Sequence, residues 1–239
     1  MYTWRRIHQF IDGSLMNGAM SLLKTLTNNG VDVCFTNPGT SEMHMVAAIG
    51  QTGGMRSILS LFEGVCTGAA DGYGRIAGKP ACTLLHLGPG LSNGSANLHN
   101  ARKANSPVIN LIGDHATYHK KYDAPLNSDI IGLAKPVSHW VRSVADAVSL
   151  PGDAADAVVA ANVKPGQVAT LMVPADCAWD ESVEPIAERE MPSAPRVNEH
   201  SITKASEMLG NGKPTVILMS NLALTEQSLR FADQVAQHS

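Results

Sequence analysis

SILSLFEGVCTGAADGYGRIAGKPACTLLHLGPG, residues 57–90, decides the fold. It opens on an apolar run, SILSLF (57–62), and passes through Glu63 into a small-residue stretch, GVCTGAADGYGRIAG (64–78). A second apolar run follows, ACTLLHL (81–87), and ends at Gly88-Pro89-Gly90. Short apolar runs bounded by glycine read as buried strands, and the segment between them has the length and composition of a helix. The unit is therefore strand, helix, strand.

The same alternation extends in both directions. Upstream, Asn17 caps a helix carrying Met20, Leu22, Leu23 and Leu26, with Gly30 at its end. VDVCFT (31–36) is a strand that stops at Asn37-Pro38-Gly39, and Thr40 or Ser41 opens a helix to about Gly50. Downstream come a helix from about Ser92 to Ala104 and the strand PVINLIG (107–113). An irregular stretch (114–135) precedes a helix from near Ser143 to Val163, broken at Pro151-Gly152, and the strand QVATLMVP (167–174). This order predicts an α/β fold in three layers, a mainly parallel sheet with helices on both faces. Residues 179–199 are acidic and proline-rich and read as a linker. A helix from His200 to Leu209, a strand TVILMS (215–220) and a helix over 225–237 then begin a second α/β domain. The expected organisation is an extension (1–15), a main domain (16–178), the linker, and an incomplete second domain (200–239).

Composition excludes several classes. Hydrophobic residues make up 44% of the 239, enough for a sizeable core, while 5% are aromatic, so that core is largely aliphatic. A net charge of -3 without a basic block argues against nucleic acid or an anionic membrane. No apolar run approaches the ~18 residues of a membrane span, and residues 1–15 lack the apolar stretch of a signal peptide. Cys34, Cys66, Cys82 and Cys177 form no metal-like spacing and read as reduced core thiols. A cytoplasmic location is expected, and no metal site is expected within these residues.

Parallel sheets bind ligands at the C-terminal ends of their strands. Three unusual loops fall there: Asn37 to Ser41, Glu63, and His86 to Gly90. Glu63 either complements the dipole at a helix N-terminus or stands at a ligand. Small residues at Gly64, Gly68, Ala69 and Ala70 would admit a close approach. Thr40 is either a helix cap or a site hydroxyl, and His86 is either structural or a site residue. His115 and His119 lie in the irregular stretch, where surface positions are the ordinary reading. A dinucleotide-binding reading would need a glycine fingerprint opening the first helix, and NPGTSE (37–42) stands there instead.

Taken in order, FTNPGTSEMH, LFEGVCTGAADGYGRIAGKPA and LLHLGPGLSNGSANLHNARKANSPVINLIGD resemble the pyrimidine-binding domain of thiamine-diphosphate enzymes. Acetolactate synthases and benzoylformate decarboxylases are the nearest groups. The resemblance implies that Glu63 hydrogen-bonds the aminopyrimidine of thiamine diphosphate and activates it. It places Pro38, Gly39, Gly88 and Pro89 beside the cofactor, and Thr40, His86 and His115 beside a small 2-oxo acid. His86 would be catalytic with Glu63. NPGT is similar to the decarboxylase pattern NPGS, and the histidine at 86 is decarboxylase-like. The GPG at 88–90 is kept by acetolactate synthases. Asp114 replaces a glutamine of the synthase loop. Asp71 to Arg75 matches a segment that packs the dimer interface. The complete family protein holds Mg2+ on a separate C-terminal domain marked by GDG, which this sequence lacks, and forms a homodimer or homotetramer. Some members also bind FAD; no motif here supports it. The expected function is the N-terminal part of a 2-oxo-acid decarboxylase or carboligase, acetolactate-synthase-like. The alternatives are a benzoylformate-decarboxylase-like lyase and a non-catalytic or split-subunit module that retains the fold.

Overall fold

The computed structural model describes residues 16–220 and 223–238. The expected extension at 1–15 lies outside them. The described residues fall into two units that divide between Pro192 and Ser193.

The first unit is built on six parallel strands: β1 (Val33–Asn37), β2 (Arg56–Leu59), β3 (Ala81–Leu85), β4 (Val108–Asp114), β5 (Trp140–Ser143) and β6 (Val168–Pro174). Their order across the sheet is β2-β1-β3-β4-β6-β5. The central strands β3, β4 and β6 are buried along their whole length, as strands covered by helices on both faces must be.

Side chains alternate across the sheet, so each strand feeds two cores. Cys34, Cys82, Leu84, Ile109, Leu111 and Leu171 pack under α1 (Gly18–Asn28), α2 (Met43–Thr52), α6 (Leu150–Asn162) and α7 (Ala175–Trp179). Phe35, Leu85, Ile112 and Met172 pack under α3 (Glu63–Ala77), α4 (Leu87–Lys103) and α5 (Ile130–Ala134) on the other face. The three-layer expectation holds. All four cysteines are free and buried, and burial, the largest cause, pushes the Cys177 thiol up to about 12. No helix among the described residues is long and apolar enough to cross a membrane.

Asn17 caps α1 as expected, its side chain accepting the Met20 N–H at 2.8 Å. Four details differ from the sequence reading. The helix expected from Ser92 begins at Leu87, so Gly88-Pro89-Gly90 is its first turn and not a loop. Proline fits there because first-turn N–H groups have no helical partner. The helix expected from Ser143 begins at Leu150, with Pro151 again in a first turn, and residues 140–143 form the edge strand β5 instead. Strand β2 stops at Leu59, short of the expected Phe62. In the second unit, α8 (Glu199–Leu209) and α9 (Glu226–His238) form, but TVILMS does not become a strand. Val216 is 91% exposed and Leu218 95%. An isolated strand has no ladder to satisfy its backbone, and no partner strand is present among the described residues of that unit.

A buried polar ladder crosses the sheet. Thr83 Oγ1 donates to Asn110 Oδ1 at 2.6 Å, and Asn110 Nδ2 donates to Thr170 Oγ1 at 3.2 Å. Ser138 shares a 2.6 Å bond with Thr170. Thr83, Asn110 and Thr170 are fully buried. The chain fixes the register of β3, β4 and β6, because a slip would strand each group without a partner. Thr83→Val keeps the shape and removes the donor. It should lower the unfolding free energy by about 1–3 kcal/mol, seen as a lower urea midpoint with an unchanged slope.

Candidate active site

In sheet order the connections reverse direction between β1 and β3. After β1 the chain crosses to α2 on one face; after β3 it enters α4 on the other. Such a switch point leaves a crevice beyond the strand ends. The register pairs Asn37 with Leu85, which sets the Pro38-Gly39-Thr40 turn beside His86.

Glu63 is the first residue of α3, half-buried, with the exposed Phe62 preceding it. Asn93 on α4 donates its Nδ2 hydrogen to Glu63 Oε2 at 3.0 Å. The other oxygen, Oε1, lies over the first turn of α4, where a Cβ on Gly90 would fall 3.5 Å from it. That turn is fixed by Gly90 N–H, which donates to the His86 carbonyl at 2.8 Å. Glu63 and His86 thus meet the same helix N-terminus. Helices α3 and α4 pack closely behind them: Asn97 donates to the Gly64 carbonyl at 2.7 Å and Thr67 to the Gly94 carbonyl at 2.9 Å. The Asn37 side chain donates to the Ser60 carbonyl at 2.8 Å, tying the ends of β1 and β2 together. Burial raises the Cys66 thiol; Ser60 opposes this and the Glu63 charge adds to it.

His86 is the N-cap of α4, and Leu87, next in line, takes a left-handed φ of 47° while fully buried. A branched-chain apolar residue in that region is strained by about 1–2 kcal/mol. The imidazole of His86 lies against the β1 turn. There it meets Glu42, in the 3-10 turn Thr40–Glu42. Glu42 Oε2 lies 2.8 Å from His86 Nδ1 and accepts the Gly39 N–H at 2.7 Å. The Glu42 side chain is 0% exposed and that of His86 22%. Glu42 Oε1 is buried with no hydrogen-bond partner. Burial, the dominant cause, raises the Glu42 carboxyl, and the Gly39 N–H and His86 oppose it.

Thr40 is exposed at the turn, and Pro38 and Gly39 are half-buried beside it. Pro89 is exposed, whereas Gly88 is buried, and a Cβ there would collide with Ser128. The smallness of Gly88 therefore makes room for the 123–129 loop. His115 follows Asp114, whose Oδ1 accepts the His115 N–H at 2.7 Å, and its ring lies 5.7 Å from that of His119. Lys120 pairs with Asp114 at 2.5 Å, and Thr117 is bound to Asp176 through its N–H at 3.0 Å and through its hydroxyl. The loop is pinned across the ends of β4 and β6. No hydrogen bond, ion pair or ring contact joins His115 to Thr40 or His86 among the described residues. Two site residues escape the sequence reading. Glu42 reads there only as part of a helix start, and Asn93 sits inside a helical stretch with nothing to mark it.

The family model for the thiamine pyrophosphate enzyme, N-terminal TPP binding domain, matches residues 16–150. The chain belongs to this family. It is 50% identical over 222 residues to the Mycobacterium tuberculosis protein named "Putative acetolactate synthase large subunit IlvX", covering 93% of this chain and 42% of that one. It is 29% identical over 199 residues to a benzoylformate decarboxylase of Pseudomonas aeruginosa, covering 81% and 37%. A solved 4-hydroxybenzoylformate decarboxylase of Rhodococcus jostii superposes with a TM-score of 0.74 at 24% identity, over 81% of this chain and 37% of that one, which shows the shared fold. The chain spans about two-fifths of the length of these relatives.

A carboxyl raised by burial favours its protonated form in the folded state. The stability Glu42 contributes is therefore full below its ordinary value of 4.5 and declines as pH rises through the elevated folded value. Thermal melts of wild type and Glu42→Gln should show the wild type losing stability relative to the variant between pH 4.5 and neutrality. A wild-type advantage that grows over this interval would contradict the assignment.

Proposed function

We propose that this chain is the pyrimidine-binding part of a thiamine-diphosphate-dependent 2-oxo-acid decarboxylase or carboligase, acetolactate-synthase-like, with Glu63 as the carboxylate that meets the aminopyrimidine. The observation that carries the reading is the state of Glu63. One oxygen is held by Asn93, while the other is left open beside a turn kept small by Gly90. Leu61, 94% exposed, and Val65, 56% exposed, stand next to it and suit the flat, weakly polar surface of a heteroaromatic ring. These residues fit the pyrimidine half of the cofactor. When bound, thiamine diphosphate supplies the electron sink for loss of carbon dioxide from a 2-oxo acid.

The chain's own residues would act around it. Glu63 holds or returns a proton at the ring nitrogen, and Asn93 keeps the carboxylate turned toward the ring. Thr40 offers a hydroxyl at the mouth of the turn, and Pro38, Gly39 and Pro89 bound the approach. His86 is the residue placed to exchange a proton with substrate. Mg2+ and the diphosphate would be held by a segment or subunit beyond the part of the relatives that this chain matches. The second unit would be the beginning of a central domain, and the complete protein at least a homodimer. FAD has no support in these residues.

A second reading, a benzoylformate-decarboxylase-like lyase, is favoured by the His86–Glu42 pair together with Thr40. A histidine backed by a buried acid is suited to protonating a carbanion, the step that ends a simple decarboxylation.

Calorimetric titration of this chain with thiamine diphosphate and Mg2+ should show weak binding or none, because the diphosphate and its metal carry much of the affinity. Tight one-to-one binding would overturn the division of the site between segments. In the assembled enzyme, Glu63→Gln should lower turnover of pyruvate or of an aryl 2-oxo acid by about 10²–10⁴-fold. Unchanged turnover would remove Glu63 from the reaction, and the preferred substrate separates the two readings.

A further inference from the structure

Two glycines are shaped around the Glu42–His86 pair. A Cβ at Gly39 would collide with the imidazole ring, and a Cβ at Gly113 would collide with the Glu42 carboxylate. Gly39 has φ −113°, a conformation open to any residue, so what it provides is space. Gly113 lies inside β4, where glycine otherwise weakens a strand. A strained Leu87 at the start of α4, a fully buried acid and two cleared positions, Gly39 in the turn after β1 and Gly113 in β4, converge on one histidine–acid pair.

The hydrogen between the two side chains has a definite owner. Glu42 Oε2 already accepts the Gly39 N–H. If Glu42 were instead to donate to His86 from a hydroxyl at Oε2, the Gly39 N–H would fall on a poor hydroxyl acceptor. The better acceptor, the carbonyl Oε1, would be the atom with no partner. With the hydrogen on Nδ1, Oε2 accepts two donors and both donors are satisfied.

We propose that Glu42 is a positioning residue that keeps a hydrogen on His86 Nδ1 and so presents Nε2 as the working nitrogen of the ring, with Gly113 giving the carboxylate its room. Nε2 makes no hydrogen bond among the described residues, and the His86 side chain remains partly exposed. The consequence for substrate protonation rests on the reading of this crevice as the substrate site; the protonation of the ring itself does not.

Long-range proton–nitrogen correlation spectra of the full chain, labelled in its nine histidines, test this. The His86 signals are identified by their loss in His86→Asn. The expected wild-type spectrum has Nδ1 protonated, with the ring either neutral or doubly protonated. A ring with bare Nδ1 and protonated Nε2 overturns the proposal without any variant. Glu42→Gln retains a carbonyl oxygen for both donors and should keep Nδ1 protonated. Glu42→Leu and Gly113→Ala should each lose the fixed Nδ1–H form. Retention of that form in a folded Glu42→Leu chain also overturns the proposal. These spectra need no cofactor, so failure of the thiamine reading in calorimetry leaves their outcome interpretable.

Discussion

The pairing of β1 with β3 is the constraint on which the site depends. They are neighbours in space, separated in sequence by β2, and their outgoing connections leave toward opposite faces of the sheet. A switch point of this kind leaves a crevice beyond the strand ends, and the ends of both strands face it. Register then decides which atoms meet there. With Asn37 opposite Leu85, the turn after β1 reaches the ring at the start of α4; a shift of one residue would turn His86 to the other face. The polar ladder through Thr83, Asn110 and Thr170 begins two residues before Leu85 on β3 and fixes that strand against β4 and β6 from inside.

Several unfavourable features are concentrated around the crevice. A fully buried carboxyl group with one unpartnered oxygen and a left-handed leucine both oppose folding. The aliphatic cores above and below the sheet offset them, which is why Leu87 can be strained and fully buried at once. Rigidity follows from the same packing. Helix α3 touches α4 through glycines and short polar groups, leaving little play between Glu63 and the turn it faces.

How much of this was legible in the sequence depends on whether the signal was local. The parallel sheet was, because each buried strand is a short, mainly apolar run set between helical stretches. Glu63 and His86 stand out because each lies where an apolar run gives way to a glycine-containing stretch. Glu42 was not, because an acid after Thr40 and Ser41 has the pattern of an ordinary helix start; its burial comes from Gly113 on a strand remote in sequence. Glycine and proline at 88–90 have the pattern of a loop, yet a first helical turn accepts proline, whose missing N–H has no helical partner there. WVRS at 140–143 is too short to show alternation and is a strand only through its pairing with β6. TVILMS carries strand propensity without a neighbour, and propensity alone does not make a sheet.

The fit between Gly113 and Glu42 also bears on how such a chain can diverge. While a carboxylate occupies position 42, every side chain at 113 is excluded by volume, however conservative it looks by itself. A lineage that shortened residue 42 first would be free to fill 113, and having filled it could not restore the acid in one step. The two sites are therefore expected to change together, and a relative with a bulkier residue at 113 should have abandoned the histidine–acid pair.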